Sequence, residues 1–342
     1  MEEEAAFALA YNGHQQYRMG CIPLFLKPHM WFFSTIELVL SLFGLIFNCA
    51  VTVAIYYSIP LSIIQRRSLA TLAVNYACIS GLHLSRNIFY LVAFHYPCIT
   101  IVTTINCKLQ EFPLVFLYIH GSVLPIILAI QAFLKHKKNH SIISWTNACT
   151  IQQTSILILC VFLSLLFTAF DEDKSHEELL QCTIVMALKD KDMTFWLITT
   201  LIFGHAAALI LIQIVVFCFH KPITFRTFFN QSLRDYFVIE SLSWEILLLL
   251  TGVFAVYEFV ALELCEKCLT MALEITFIIM PLCICCGNPL LIILFILPVK
   301  NAAVRLCPKL SNFLPEYQLP TPQLPTPELQ PIRQNPTIKL PM

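Results

Sequence analysis

The chain has 342 residues, of which 58% are hydrophobic and only 12% charged, and its mean hydropathy is +0.76. Soluble domains carry about twice that charge, and this much apolar surface cannot be hidden in a water-soluble globule, part of which must face water. Lys+Arg and Asp+Glu balance at 21 each and no basic stripe stands out, which argues against a nucleic-acid partner. Composition therefore places the chain in membrane lipid.

Residues 1–30 lack a basic stretch followed by an apolar core, so they are expected to be a translocated tail rather than a signal peptide. A spanning helix needs roughly 20 mostly apolar residues, because each adds about 1.5 Å across a core about 30 Å thick. Seven stretches meet this, at about 31–59, 70–94, 112–134, 148–170, 194–219, 241–263 and 271–297. Continuous runs of that length exclude a β-barrel, whose strands are about ten residues long. The expected fold is all-α, an integral membrane bundle of seven transmembrane helices.

Charge orients the bundle. The loops after spans one, three and five, together with the C-terminal segment, hold 13 of the 21 Lys and Arg, including Arg66, Arg67, Lys135, Lys137, Lys138, Arg226 and Arg234. The opposite side holds seven of them and twelve of the acids. The positive-inside rule then puts the N-terminus outside and the C-terminus in the cytoplasm. Residues 298–342 form a proline-rich cytoplasmic tail, with nine prolines between Pro308 and Pro341, and that density predicts an extended or disordered segment.

Of 15 cysteines, Cys21, Cys98, Cys107, Cys182, Cys265 and Cys268 fall on or near the exterior, where disulfides form. A Cys107–Cys182 bridge would pin the long loop after span four over the bundle, with Cys98 as the rival partner for Cys182. Cys265 and Cys268 form a CxxC without a second pair or adjacent histidines, so neither a metal site nor a cofactor is expected there. Cys307, past span seven, is a candidate for palmitoylation.

Ionisable side chains within hydrocarbon are costly and mark function by default. Glu37, Arg86, His120, Glu258 and Glu274 fall in the outer half and are the candidate ligand-binding set. Arg86 is expected to pair with Glu258 or Glu274. Glu245 lies nearer the cytoplasmic end of span six, and His205 near mid-membrane. Asn288–Pro289 in span seven is a candidate hinge, Asn288 bonding carbonyls that the proline frees. His83, His120 and His205 show no metal-ligand spacing, which argues against an intramembrane zinc hydrolase and against an enzyme generally.

Several segments resemble a known plan. Asn48 in FGLIFNCAV, and GNPLLIILFILPVK at 287–300, are similar to the first and last spans of rhodopsin-like receptors. HLSRNIFYLV at 83–92 and CKLQEFPLVFLYIHGSVLPIILAIQAFLK at 107–135 resemble the second and third helices of nematode serpentine chemoreceptors, the Sra/Srab-like group of G-protein-coupled receptors. The chain departs from the rhodopsin-like pattern where Gln131 to Lys135 replaces an acidic–arginine pair, and Trp244 has no proline two residues on. The resemblance implies a chemosensory receptor in the plasma membrane of a sensory neuron cilium or dendrite. It would bind a small-molecule ligand in an outer cavity, signal through a heterotrimeric G protein facing Lys135, Lys137, Lys138, Arg226 and Arg234, and sit in membrane lipid, alone or as a dimer. The alternative is a ligand-gated channel or transporter, whose seven-helix insect counterparts have the N-terminus inside.

Overall fold

The computed structural model describes residues 31–59, 61–93, 101–137, 142–167, 178–179, 182, 203–204, 206–207, 210, 225–260 and 266–313. The described chain is almost entirely helical. In chain order the helices are α1 (Trp31–Tyr57), α2 (Ile63–Ala93), α3 (Thr104–Lys137), α4 (Ile142–Phe167), α5 (Phe225–Val260), α6 (Glu266–Phe295) and α7 (Leu297–Leu306). Two short strands, β1 (Val102–Thr103) and β2 (Glu178–Leu179), pair antiparallel in register Val102 to Leu179 and Thr103 to Glu178. The expected span at 194–219 lies almost wholly outside the described residues.

Among the described residues, three segments are long and apolar enough to cross a membrane: Phe32–Tyr57, Thr104–Gln131 and Ile278–Phe295. The packing inverts that of a soluble protein. Phe43, Ile46, Phe47 and Val53 of α1, and Ile158, Phe162 and Leu165 of α4, are bare, whereas Glu37, Asn48, His83, Asn87, Glu111 and Glu240 are buried. Lipid tails satisfy the first set as well as a core would, and the second set is hidden from hydrocarbon among its own kind. This arrangement supports membrane association independently of hydropathy.

Helix α1 packs along α2 and α6, α3 along α2, α4 and α5, and α5 along α6. Two glycines let the helices close up. A Cβ at Gly44 would meet Ser80 Oγ and would lie 3.6 Å from Cys285 Cβ, so α1, α2 and α6 converge there. A Cβ at Gly121 would lie 2.8 Å from Trp244 Cζ2 and 3.0 Å from Asn75 Nδ2, fixing the approach of α3 to α5 and α2.

Helices run past the apolar windows read from sequence. Helix α3 starts at Thr104 rather than near 112, and α5 at Phe225 rather than near 241. Hydropathy detects the stretch suited to lipid, while polar residues such as Lys108, Glu111, Asp235 and Glu240 extend a helix without satisfying that criterion. The start of α2 is set locally: Gln65 N donates to Ser62 Oγ at 3.4 Å and Ser62 N to Gln65 Oε1 at 3.0 Å, a reciprocal cap. Arg66 closes the end of α1, its guanidinium donating to the carbonyls of Leu61 and Ile59 at 3.0 Å and of Tyr56 at 3.5 Å.

The expected boundary of the tail at 298 is moved. Helix α7 covers Leu297–Leu306 with Pro298 in its first turn, where a missing N–H costs nothing, and packs on α1. The dense prolines begin only at Pro308, so the preceding ten residues are free to coil; residues 314–342 lie outside those described.

Candidate functional site

Two buried polar networks lie at different levels of the bundle. The first ties α1, α2 and α3. Glu37 stands six residues into α1, Arg86 seven residues before the end of α2 and Glu111 seven residues into α3, so all three lie about 10 Å from the same end of their helices. Arg86 Nη2 reaches Glu37 Oε1 at 3.0 Å, and Nη1 reaches Glu111 Oε1 at 3.4 Å. His83 Nδ1 is 3.0 Å from Glu37 Oε1 and 3.1 Å from Arg86 Nη2, while Nε2 is 2.7 Å from the Tyr118 hydroxyl. Asn87 Nδ2 donates to Glu37 Oε2 at 3.2 Å and to the Ser34 carbonyl at 3.0 Å.

The side chains of Glu37 and Glu111 are 1% and 6% exposed and that of Arg86 is 12%. Arg86 is therefore the most exposed of the three. Its Nε is buried and has no hydrogen-bond partner among the described residues. Above the cluster, Cys107 and Cys182 form a disulfide with a Cα–Cα distance of 5.1 Å, and Tyr90 of α2 donates to the Cys182 carbonyl at 2.6 Å. The loop after α4 is thus bolted to both α3 and α2 at this end. The expected pairing of Cys107, rather than Cys98, with Cys182 holds.

The second network joins α1, α2, α5 and α6. Pro289 has no N–H to give the carbonyl of Cys285, four residues earlier, and Asn48 Nδ2 fills the vacancy at 2.7 Å while also donating to the Gly44 carbonyl at 2.8 Å. Asn288 Nδ2 donates to Asn48 Oδ1 at 2.7 Å, and Asn288 Oδ1 accepts from the Tyr236 hydroxyl at 2.5 Å. On the neighbouring turn Trp244 Nε1 donates to the Tyr76 hydroxyl at 2.8 Å, which donates to Glu240 Oε2 at 3.2 Å. The Trp244 ring also lies against Tyr118, whose hydroxyl belongs to the first network.

Of the expected ligand set, Glu37 and Arg86 are brought together. Among the described residues the partners of Arg86 are Glu37 and Glu111. The side chains of Glu258 and Glu274, proposed for that role, lie outside the described residues. His120 is not a member of the cluster. It lies nine residues beyond Glu111, about 13 Å deeper, where Nδ1 is 2.9 Å from Asn75 Oδ1. Asn288 is buried at the expected hinge, but Asn48, not Asn288, takes the carbonyl freed by Pro289. Arg234 is engaged by its neighbour, Nε and Nη2 donating to Asp235 Oδ1 at 2.9 and 2.6 Å. The side chains of Lys135, Lys137 and Arg226, and all of Lys138, His205, Cys98 and Cys265, lie outside the described residues.

Glu111 and Glu240 were missed because both sit just outside the apolar windows at 112–134 and 241–263. The signal available was helical spacing: Glu111 falls seven residues before Tyr118 and Glu240 four before Trp244, on the faces those aromatics bury. Among the described residues no group of three or more His, Cys, Asp or Glu is arranged to hold a metal.

A Caenorhabditis elegans protein described as "Uncharacterized protein T09B9.5" is 39% identical to this chain over 301 residues, covering 87% of the chain and 83% of the relative. The chain belongs to that protein's family. At this coverage the likeness extends over the helical body and is not confined to one motif. No family model matches the chain.

Proposed function

We propose that the protein is a seven-transmembrane chemosensory receptor, with its N-terminus outside and its C-terminus in the cytoplasm, that detects a small ligand near Arg86 and signals through a G protein. The observation that carries this reading is the partly open Arg86, held by Glu37 and Glu111 from two other helices and keeping an unpartnered Nε. A ligand with a hydrogen-bond acceptor meets the exposed part of this guanidinium. It also competes with the two carboxylates for one guanidinium, so binding changes how α1 and α3 are held to α2. Ligand shifts the bundle only to the extent that it binds one such arrangement better.

Further support is the second network, where Asn48, Asn288 and Tyr236 tie α1, α6 and α5 together. The Trp244–Tyr118 contact gives the two networks a shared boundary. Asn48 and Asn288 are the residues on which the resemblance to rhodopsin-like receptors rests, and the C. elegans relative is consistent with a nematode family. On this reading the basic residues Lys135, Lys137, Lys138, Arg226 and Arg234 face the G protein, and the membrane is that of a sensory cilium or dendrite.

The test begins with an epitope tag at the N-terminus, stained on intact and then permeabilised cells. An outside tag, followed by an odorant screen with a G-protein readout in which Glu111→Gln shifts the response at equal surface level, supports the receptor. An inside tag, or a ligand-evoked current that survives G-protein block, overturns it in favour of a channel.

A further inference from the structure

The end of the bundle where α1 stops and α7 begins carries apolar groups that no helix covers among the described residues. Ile59 and Ile63 in the turn from α1 to α2 are 79% and 80% exposed, and Phe313, after α7, is 84% exposed. They belong to one end of the bundle because α7, which Phe313 follows, packs on α1, which Ile59 follows, and Leu310 packs against the main core. Helix α1 has 27 residues, or about 40 Å, against a hydrocarbon core of about 30 Å. Its Tyr57 tip and the turn beyond it therefore reach the headgroup layer, where amphipathic rings settle. Bare isoleucines and a phenylalanine at that level gain by dipping into the acyl boundary. Two exposed cations belong to the same segments: Arg67, one turn past Ile63 with Nη1 3.3 Å from Thr150 Oγ1, and Lys309, four residues before Phe313.

We propose that the α1–α2 turn and residues 309–313 together form an interfacial anchor for anionic lipid, Ile59, Ile63 and Phe313 entering the acyl boundary while Arg67 and Lys309 hold negatively charged headgroups. Charge complementarity selects the occupant: zwitterionic lipid satisfies the apolar groups but not the cations. The proposal rests on the receptor reading for placing this end at the cytoplasmic leaflet, where anionic lipid is concentrated.

The test is native mass spectrometry of delipidated full-length protein titrated with phosphatidylserine and with phosphatidylcholine of the same acyl chains. Wild type is expected to prefer phosphatidylserine. R67Q and K309Q should each cut that preference by about fivefold. I63S with F313S should weaken both lipids and leave their ratio unchanged. Equal binding of both lipids, or a preference that survives in R67Q/K309Q, overturns the proposal and points to a soluble protein as the occupant. The titration is blind to orientation. An anionic preference combined with an inside N-terminal tag would keep the anchor and refute the receptor topology.

Discussion

Replacing Arg86 with leucine removes the guanidinium that bridges two buried carboxylates, Glu37 at 3.0 Å and Glu111 at 3.4 Å. Two like charges then face each other in a site where both carboxylates are buried. Removing one member of a buried pair typically costs about 3–5 kcal/mol, mostly as the penalty on the charge left behind. For a chain of this size that corresponds to a fall in apparent Tm of about 4–7 °C. The carboxylates are not equivalent. Glu37 also meets His83 and Asn87, whereas Glu111 meets Arg86 at the longer distance. Glu111→Gln should therefore cost about 1–2 kcal/mol and Glu37→Gln clearly more. The triple variant R86L/E37Q/E111Q, with no buried charge stranded, should recover most of the loss. Thermal challenge followed by fluorescence-detected size exclusion on detergent extracts ranks all four. If R86L melts with wild type, or if Glu111→Gln costs as much as Glu37→Gln, the cluster does not hold the three helices together in the way described.

Asn48→Ala strands the Cys285 carbonyl and the Asn288 amide, and should cost about 1–3 kcal/mol; adding Pro289→Ala returns a backbone donor to that carbonyl and should restore part of the loss in the same melting assay. Gly121→Ala forces a methyl to 2.8 Å from Trp244 Cζ2 and should destabilise by about 1–3 kcal/mol, with Trp244→Phe suppressing the effect in the double variant. Cys107→Ser opens a loop of sequence separation 75, for which chain entropy gives about 4 kcal/mol. Cys182→Ser should match it and the double variant should be no worse, while an additive loss in surface expression would mean the two cysteines act separately.

The sequence alone was enough to assign a helical membrane protein, because sustained apolar runs with few charges leave no soluble alternative and no barrel. It also supplied the disulfide, since topology left few cysteines outside, and it singled out Arg86 as a residue that must be paired, since an arginine in an apolar run is too costly to stand alone. It misplaced the helix ends. Hydropathy measures suitability for lipid, whereas a helix continues through Glu111 or Glu240 as long as its backbone bonds are made. Which carboxylate meets Arg86 was beyond its reach. Glu37, Arg86 and Glu111 are tens of residues apart, and only the packing of α1, α2 and α3 brings them to one level. The same holds for Asn48 and Cys285: a proline announces a freed carbonyl in sequence, but the donor that satisfies it comes from another helix 237 residues away, and only the close approach at Gly44 delivers it.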